Sequence, residues 1–129
     1  MPRAGYRRAL ARYGIPLDES LVASGELLEN VAEEAMGRLL DLPQPPTAVF
    51  AGNDTQAIGA MRAARSRGLA IPADLAVIGF DDTTAARQSV PPLTTMRYPD
   101  YRVAAEGARM LIRKILRPEI VPESIVLPA

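Results

Sequence analysis

Two short apolar runs, Thr47-Ala48-Val49-Phe50-Ala51-Gly52 and Leu75-Ala76-Val77-Ile78-Gly79-Phe80, stop abruptly at polar residues, Asn53-Asp54 after the first and Asp81-Asp82 after the second. Neither run alternates, so each reads as a strand buried on both faces, the kind found in parallel sheets. Between them, over about 55–67, Ala57, Ile58, Met61 and Ala64 recur at helical spacing. Gly68 suits the left-handed position that closes such a helix, and Pro72 prevents its continuation. The three pieces make a βαβ unit. Its polar groups sit at the carboxyl ends of neighbouring strands, where open α/β sheets bind ligands.

The same rhythm runs through the rest of the chain. Residues 3–13 place Tyr6, Ala9, Leu10 and Tyr13 on one helical face, with Gly14 as a stop. Leu21-Val22-Ala23-Ser24 reads as a short strand ending at Gly25, and a helix over about 29–41 carries Val31, Ala32, Ala35, Met36, Leu39 and Leu40. After the second apolar run, 81–92 reads as a long loop closed by Pro91-Pro92, and Leu93-Thr94-Thr95-Met96 as extended. A long helix is expected over 99–116, with Val103, Met110, Leu111 and Ile115 as its apolar stripe, followed by the β-prone run Ser124-Ile125-Val126-Leu127. Alternating helices and strands imply an α/β fold with a mainly parallel sheet and helices on both faces.

At 129 residues the chain is one modest domain or part of a larger one. Fifteen basic residues balance fifteen acidic ones and are interspersed with them, which gives no electrostatic footprint for nucleic acid or an anionic membrane. Neither cysteine nor histidine occurs, so disulfides, thiol nucleophiles, imidazole bases and the usual zinc ligands are excluded; no cofactor or metal is expected. The first residues lack the apolar stretch of a signal peptide, and no segment reaches the ~18 apolar residues that span a bilayer, so a soluble chain is expected.

Chemistry concentrates at the strand ends. Asp54 is placed to cap the helix that follows, accepting backbone N–H bonds, while Asn53 just before it offers an amide with donors and an acceptor toward the crevice. Asp81 and Asp82 are adjacent on extended chain and point oppositely, so one faces the pocket while the other ties down the loop; both serving as turn-forming residues is the alternative. Paired acids at strand ends also suit a phospho-accepting receiver domain or a metal-assisted hydrolase. A receiver needs a lysine on a late strand, and the only lysine, Lys114, falls inside an expected helix. No Gly-rich phosphate loop or nucleophile elbow appears either, so the chain is not expected to be an enzyme.

Four blocks in order, Pro46 through Asp54, Gly68-Leu69 with Pro72, Val77 through Asp82, and Pro91-Pro92-Leu93-Thr94-Thr95, resemble the C-terminal half of LacI/GalR-family transcription regulators. Gly5-Tyr6-Arg7-Arg8-Ala9-Leu10 is similar to a segment upstream of them in the family. The resemblance implies a periplasmic-binding-protein-like type I fold, mostly its C-terminal subdomain. Residues 1–97 would form that subdomain, 98–118 a helix belonging to the first subdomain, and 119–129 a returning strand and C-terminus. It implies that Asn53 and Asp81 contact a small effector, sugar or nucleoside-like, with Tyr98 a further donor near the crossover. Leu27 stands where many members carry an aromatic residue, and Asp54 and Asp82 would be structural caps. Dimer contacts would fall on Ile58 and on the stretch from Thr84 to Val90. A cytoplasmic homodimer or higher oligomer follows from the same resemblance, meeting operator DNA only through a helix-turn-helix absent from this sequence. The alternative is a periplasmic sugar-binding protein for transport or chemotaxis.

Overall fold

The computed structural model describes residues 2–24, 26–121 and 123–128. The elements run α1 (Pro2–Arg12), a 3₁₀ turn (Glu19–Leu21), α2 (Glu29–Leu40), β1 (Ala48–Phe50), α3 (Asp54–Ser66), β2 (Ala76–Asp81), α4 (Thr84–Gln88), β3 (Thr94–Arg97) and α5 (Asp100–Leu116). The strands form one sheet in the order β1-β2-β3, with β1 and β2 parallel and Val49 opposite Val77. The chain divides into two compact units, Met1–Met96 and Arg97–Ala129.

Both glycine stops work as the spacing predicts. At the end of α3, Gly68 takes φ +73° and donates to Arg65 O at 2.9 Å, while Leu69 N–H reaches back to Ala64 O at 3.0 Å. Gly14 (φ +66°) and Ile15 repeat those two bonds at the end of α1, donating to Ala11 O and Leu10 O. The left-handed residue lets the chain reverse while still satisfying the last carbonyls.

The core of the first unit is built of small residues, because α2 and α3 lie very close. A Cβ on Gly59 would stand 2.3 Å from Glu29 O, so only glycine permits that approach. Met36, Ala60, Ala63, Ala64 and Leu75 form one buried cluster, and Ala51, Ala57, Met61, Ala86 and Leu93 a second. Ile71 and Val77 touch both. Leu75 is fully enclosed, which contributes roughly 1.5–3 kcal/mol. Across the outer seam Arg62 bridges Glu29 (2.8 Å) and Glu33 (3.1 Å), and Arg67 bridges Asp41 (3.1 Å). Such exposed pairs contribute at most about 1 kcal/mol each.

Several expectations change. The strands are not buried on both faces: Phe50 is 47% exposed, and only Gly79 is buried within β2. The Leu21–Ser24 segment, expected as a strand, joins no ladder; Leu21 ends a 3₁₀ turn capped by Asp18, and residues 21–24 and β1 line a groove of about 620 Å³. A strand needs a neighbour within hydrogen-bonding reach, and the groove occupies that place. Gly25, its expected end, lies outside the described residues. The expected loop 81–92 contains α4, started by Thr83, whose Oγ1 accepts the Ala86 N–H. Ala9 on α1 and Tyr13 just after it are exposed, so that helix buries less of its apolar face than the periodicity suggests.

In the second unit, no residue of α5 is buried. Val103, Leu111 and Ile115 are exposed and Met110 half-buried. Lys114 Nζ closes the helix by donating to Ile120 O at 3.0 Å. The described part of Ser124–Leu127 pairs with nothing and forms no strand.

Candidate functional site

The parallel register sets the site. Ala48 faces Ala76, Val49 faces Val77 and Phe50 faces Ile78, and Ala51 N–H still donates to Ile78 O at 2.9 Å. β1 ends three residues before Asn53 and β2 ends at Asp81, where the negative charge of Asp54 is felt. All four residues expected from the apolar runs therefore gather at the carboxyl end of two adjacent strands.

Their roles differ from those expected. Asn53, not Asp54, caps α3: its backbone is extended and its Oδ1 accepts the Gln56 N–H at 2.8 Å. With the oxygen so engaged, the amide NH2 is the part of Asn53 that can meet a ligand, and it can only donate. Gln56 completes the corner. Its Oε1 accepts the Gly52 N–H at 3.1 Å and its Nε2 donates to Glu26 O at 3.1 Å. The pattern Asn53-x-x-Gln56 has the spacing of a capping box, the signal by which Gln56 was recoverable from the sequence.

Asp54 is the one fully buried acidic side chain among the described residues. Its Oδ1 accepts the Thr95 hydroxyl at 2.5 Å and its Oδ2 the Thr83 N–H at 2.7 Å. It thus links the start of α3 to the loop after β2 and to β3, instead of capping a helix. Burying a carboxylate is costly unless hydrogen bonds replace water, and these two do so.

Asp81 and Asp82 both adopt left-handed backbone, φ 124° and 61°, unusual for residues other than glycine. Asp82 does not cap a helix either; Thr83 takes that place. Its carboxylate receives Arg87 Nε at 2.9 Å and Nη2 at 2.8 Å, a two-pronged pair. That pair raises the Arg87 pKa above its ordinary value, chiefly through the hydrogen bond. Desolvation in the corner, followed by the negative charge of Asp54, pushes the Asp81 carboxyl above the usual carboxylate range. Asp81 is the acid of the pair left to act as an acceptor toward a ligand.

The other expected residues scatter. Leu27 is 76% exposed and follows the Glu26 carbonyl held by Gln56, close in the chain to the same corner. Tyr98 is 42% exposed and belongs to the second unit, whereas Asn53 and Asp81 belong to the first. Ile58 is half-buried on α3, Thr84 opens α4 exposed, and Val90 is exposed just before Pro91. Among the described residues no cluster of three or more acids is arranged to hold a metal.

The profile of the periplasmic binding protein-like domain matches residues 2–129. The chain belongs to that family. The chain is also similar to LacI-family transcription regulators over part of their length. It is 44% identical over 108 residues to the HTH-type transcriptional repressor CytR of Escherichia coli, a match covering 84% of this chain and 32% of that protein. The transcriptional regulator CelR in complex with cellobiose superposes with a TM-score of 0.86 at 38% identity, over 92% of this chain and 36% of that one. A LacI-family regulator from Enterococcus faecium with bound ribose gives a TM-score of 0.82 at 31% identity, over 91% and 43%. This periplasmic-binding-protein-like chain spans about a third of the length of the curated relatives it matches. Those relatives are named as transcriptional repressors and regulators, not as enzymes. Among the described residues no helix is long and apolar enough to cross a membrane.

Proposed function

We propose that this chain forms one wall of the effector pocket of a LacI-type transcription regulator, with Asn53 and Asp81 touching a neutral, hydroxyl-rich ligand. The observation that carries the reading is that both stand at the carboxyl ends of adjacent parallel strands. Asn53 offers its amide donors, and Asp81 supplies an acceptor. A sugar hydroxyl is both donor and acceptor, so adjacent hydroxyls satisfy the pair together. The nearby carboxylate of Asp54 opposes an anionic group, and Arg87 is engaged by Asp82. Ribose and cellobiose in the structures of two relatives agree with this chemistry.

In this reading effector binding alters the arrangement of a homodimer, with Ile58, Thr84 and Val90 near its interface, and so changes operator affinity. DNA contact belongs to a helix-turn-helix outside this sequence, and the protein works in the cytoplasm. The names of the relatives favour regulation over transport.

The test is thermal unfolding of the chain titrated with D-ribose, cellobiose, cytidine and ribose 5-phosphate. A ligand that binds only the folded state raises the midpoint with concentration. At least one neutral sugar or nucleoside is expected to give a saturable rise that Asn53→Ala and Asp81→Ala each reduce at least tenfold in apparent affinity. A saturable rise that both variants leave unchanged refutes the assignment. A rise with ribose 5-phosphate alone refutes the neutral-ligand reading.

A further inference from the structure

The left-handed Asp81-Asp82 corner is supported by Thr95 and the buried Asp54. Thr95 has a single hydroxyl proton. Asp54 Oδ1 takes it at 2.5 Å, and the Met96 carbonyl, at 3.4 Å, is a poor competitor. The lone pairs of Thr95 Oγ1 are then free to accept, and they receive the Asp82 N–H in a long bond of 3.4 Å. The second Asp54 oxygen holds the next amide, Thr83 N–H, at 2.7 Å. One amide of the corner is thus anchored directly on an enclosed carboxylate, and the amide before it leans on the same carboxylate through a weaker contact with Thr95. Gly79 leaves room for that carboxylate, since a Cβ there would stand 2.5 Å from Asp54 Oδ1.

We propose that Thr95 and Asp54 are positioning residues: the relay from Asp82 N–H through the Thr95 hydroxyl to Asp54 holds the left-handed corner and so aims Asp81. The inference deepens the effector-pocket reading and rests on it for its purpose. Left-handed backbone at non-glycine residues persists only where surrounding contacts determine it. Here those contacts come from α3 and β3, elements that are otherwise remote in sequence from residues 81 and 82. Asp54 also contributes to the raised pKa of Asp81, so its position is felt at the pocket carboxyl.

The test needs no ligand, so its outcome is independent of whether an effector is found. Thr95→Val keeps the shape and removes the hydroxyl, whereas Thr95→Ser keeps the hydroxyl. Amide hydrogen exchange at Asp82 and Thr83, and the carboxyl titration of Asp81 followed by NMR, are measured in both variants and the wild type. T95V is expected to speed Asp82 exchange at least tenfold and to lower the Asp81 midpoint toward an ordinary carboxyl value, and T95S to match the wild type. Unchanged exchange and titration in T95V overturn the proposal, as does T95S shifting as far as T95V, which would assign the effect to packing. Should T95V fail to fold, the wild type decides. A slowly exchanging Thr95 hydroxyl proton supports the relay, and rapid exchange with solvent overturns it.

Discussion

Gly79→Ala puts the buried corner to a quantitative test. A Cβ on residue 79 would meet Asp54 Oδ1 at 2.5 Å, Leu93 Cδ2 at 3.0 Å and Ala57 Cβ at 3.3 Å. Restoring ordinary contact requires the carboxylate to retreat by about 1 Å. It has nowhere to go while Thr95 and Thr83 hold it, so the Thr95 bond, now 2.5 Å, must lengthen beyond hydrogen-bonding range. Losing a hydrogen bond to a carboxylate costs roughly 1.5–3 kcal/mol, and forcing a methyl into a filled site roughly 1–3 kcal/mol. Alanine returns about 0.5–1 kcal/mol of backbone entropy within a strand. The net is a loss of about 2–4 kcal/mol, a fall in unfolding midpoint on the order of 6–15 °C for a chain of this size. Urea denaturation of G79A beside the wild type measures it. Equal stability would refute the account, because it would mean that the carboxylate moves without cost.

The same substitution should change sign with its surroundings. Gly59→Ala, whose Cβ would lie 2.3 Å from Glu29 O, is expected to destabilise by about 1–3 kcal/mol by prising α2 from α3. Gly107→Ala, with nothing within 4 Å, should instead stabilise α5 by roughly 0.5–1 kcal/mol, and equal shifts in denaturation would contradict the packing. Asp81 holds its proton more tightly folded than unfolded, so its contribution to stability is present below the ordinary value of 3.8 and lost as pH rises through its raised pKa. Asp81→Asn should therefore gain stability over the wild type as pH rises across that window, and a pH-independent difference would refute the shift. The exposed apolar residues of α5, Val103, Leu111, Ile112 and Ile115, predict self-association of the isolated chain. Light scattering that finds only monomer at high concentration would count against it.

What the sequence made legible was whatever depended on near neighbours. Gly14 and Gly68 announced their helix ends because only the adjacent turn decides them. The stripe Ala32, Ala35 and Met36 gave the buried face of α2 because a helix repeats its surroundings every turn or so. The partnerships that required distant chain were not legible. Leu21–Ser24 has strand-like composition, but a ladder needs a second strand beside it. Asp54 looks like a helix cap in isolation, and nothing local reveals that Thr95, 41 residues later, would claim its oxygen. Short α4 escaped because its single turn carries no apolar period; only Thr83 three residues before Ala86 hinted at it. The Thr94-Thr95 pair served to mark a family pattern, while the task of its second hydroxyl emerged only from its hydrogen bond to Asp54.

The polarity of the site follows from the demands of the fold on the residues that compose it. A strand that turns directly into a helix must supply an acceptor for the first free amides, and Asn53 gives up its carbonyl oxygen to Gln56 for that purpose. What the helix leaves over is a donor. On the neighbouring strand the positive charge of Arg87 is drawn to Asp82, so Asp81 keeps its acceptor character without a fixed cation beside it. In the proposed reading one strand offers amide hydrogens and the next lone pairs, a complement to vicinal hydroxyls rather than to phosphate. Exchanging the sign of either group would require rebuilding the cap of α3 or the Asp82–Arg87 pair. Variation in ligand choice on this frame is accordingly expected at positions such as Leu27, which is largely free of structural duty and 76% exposed.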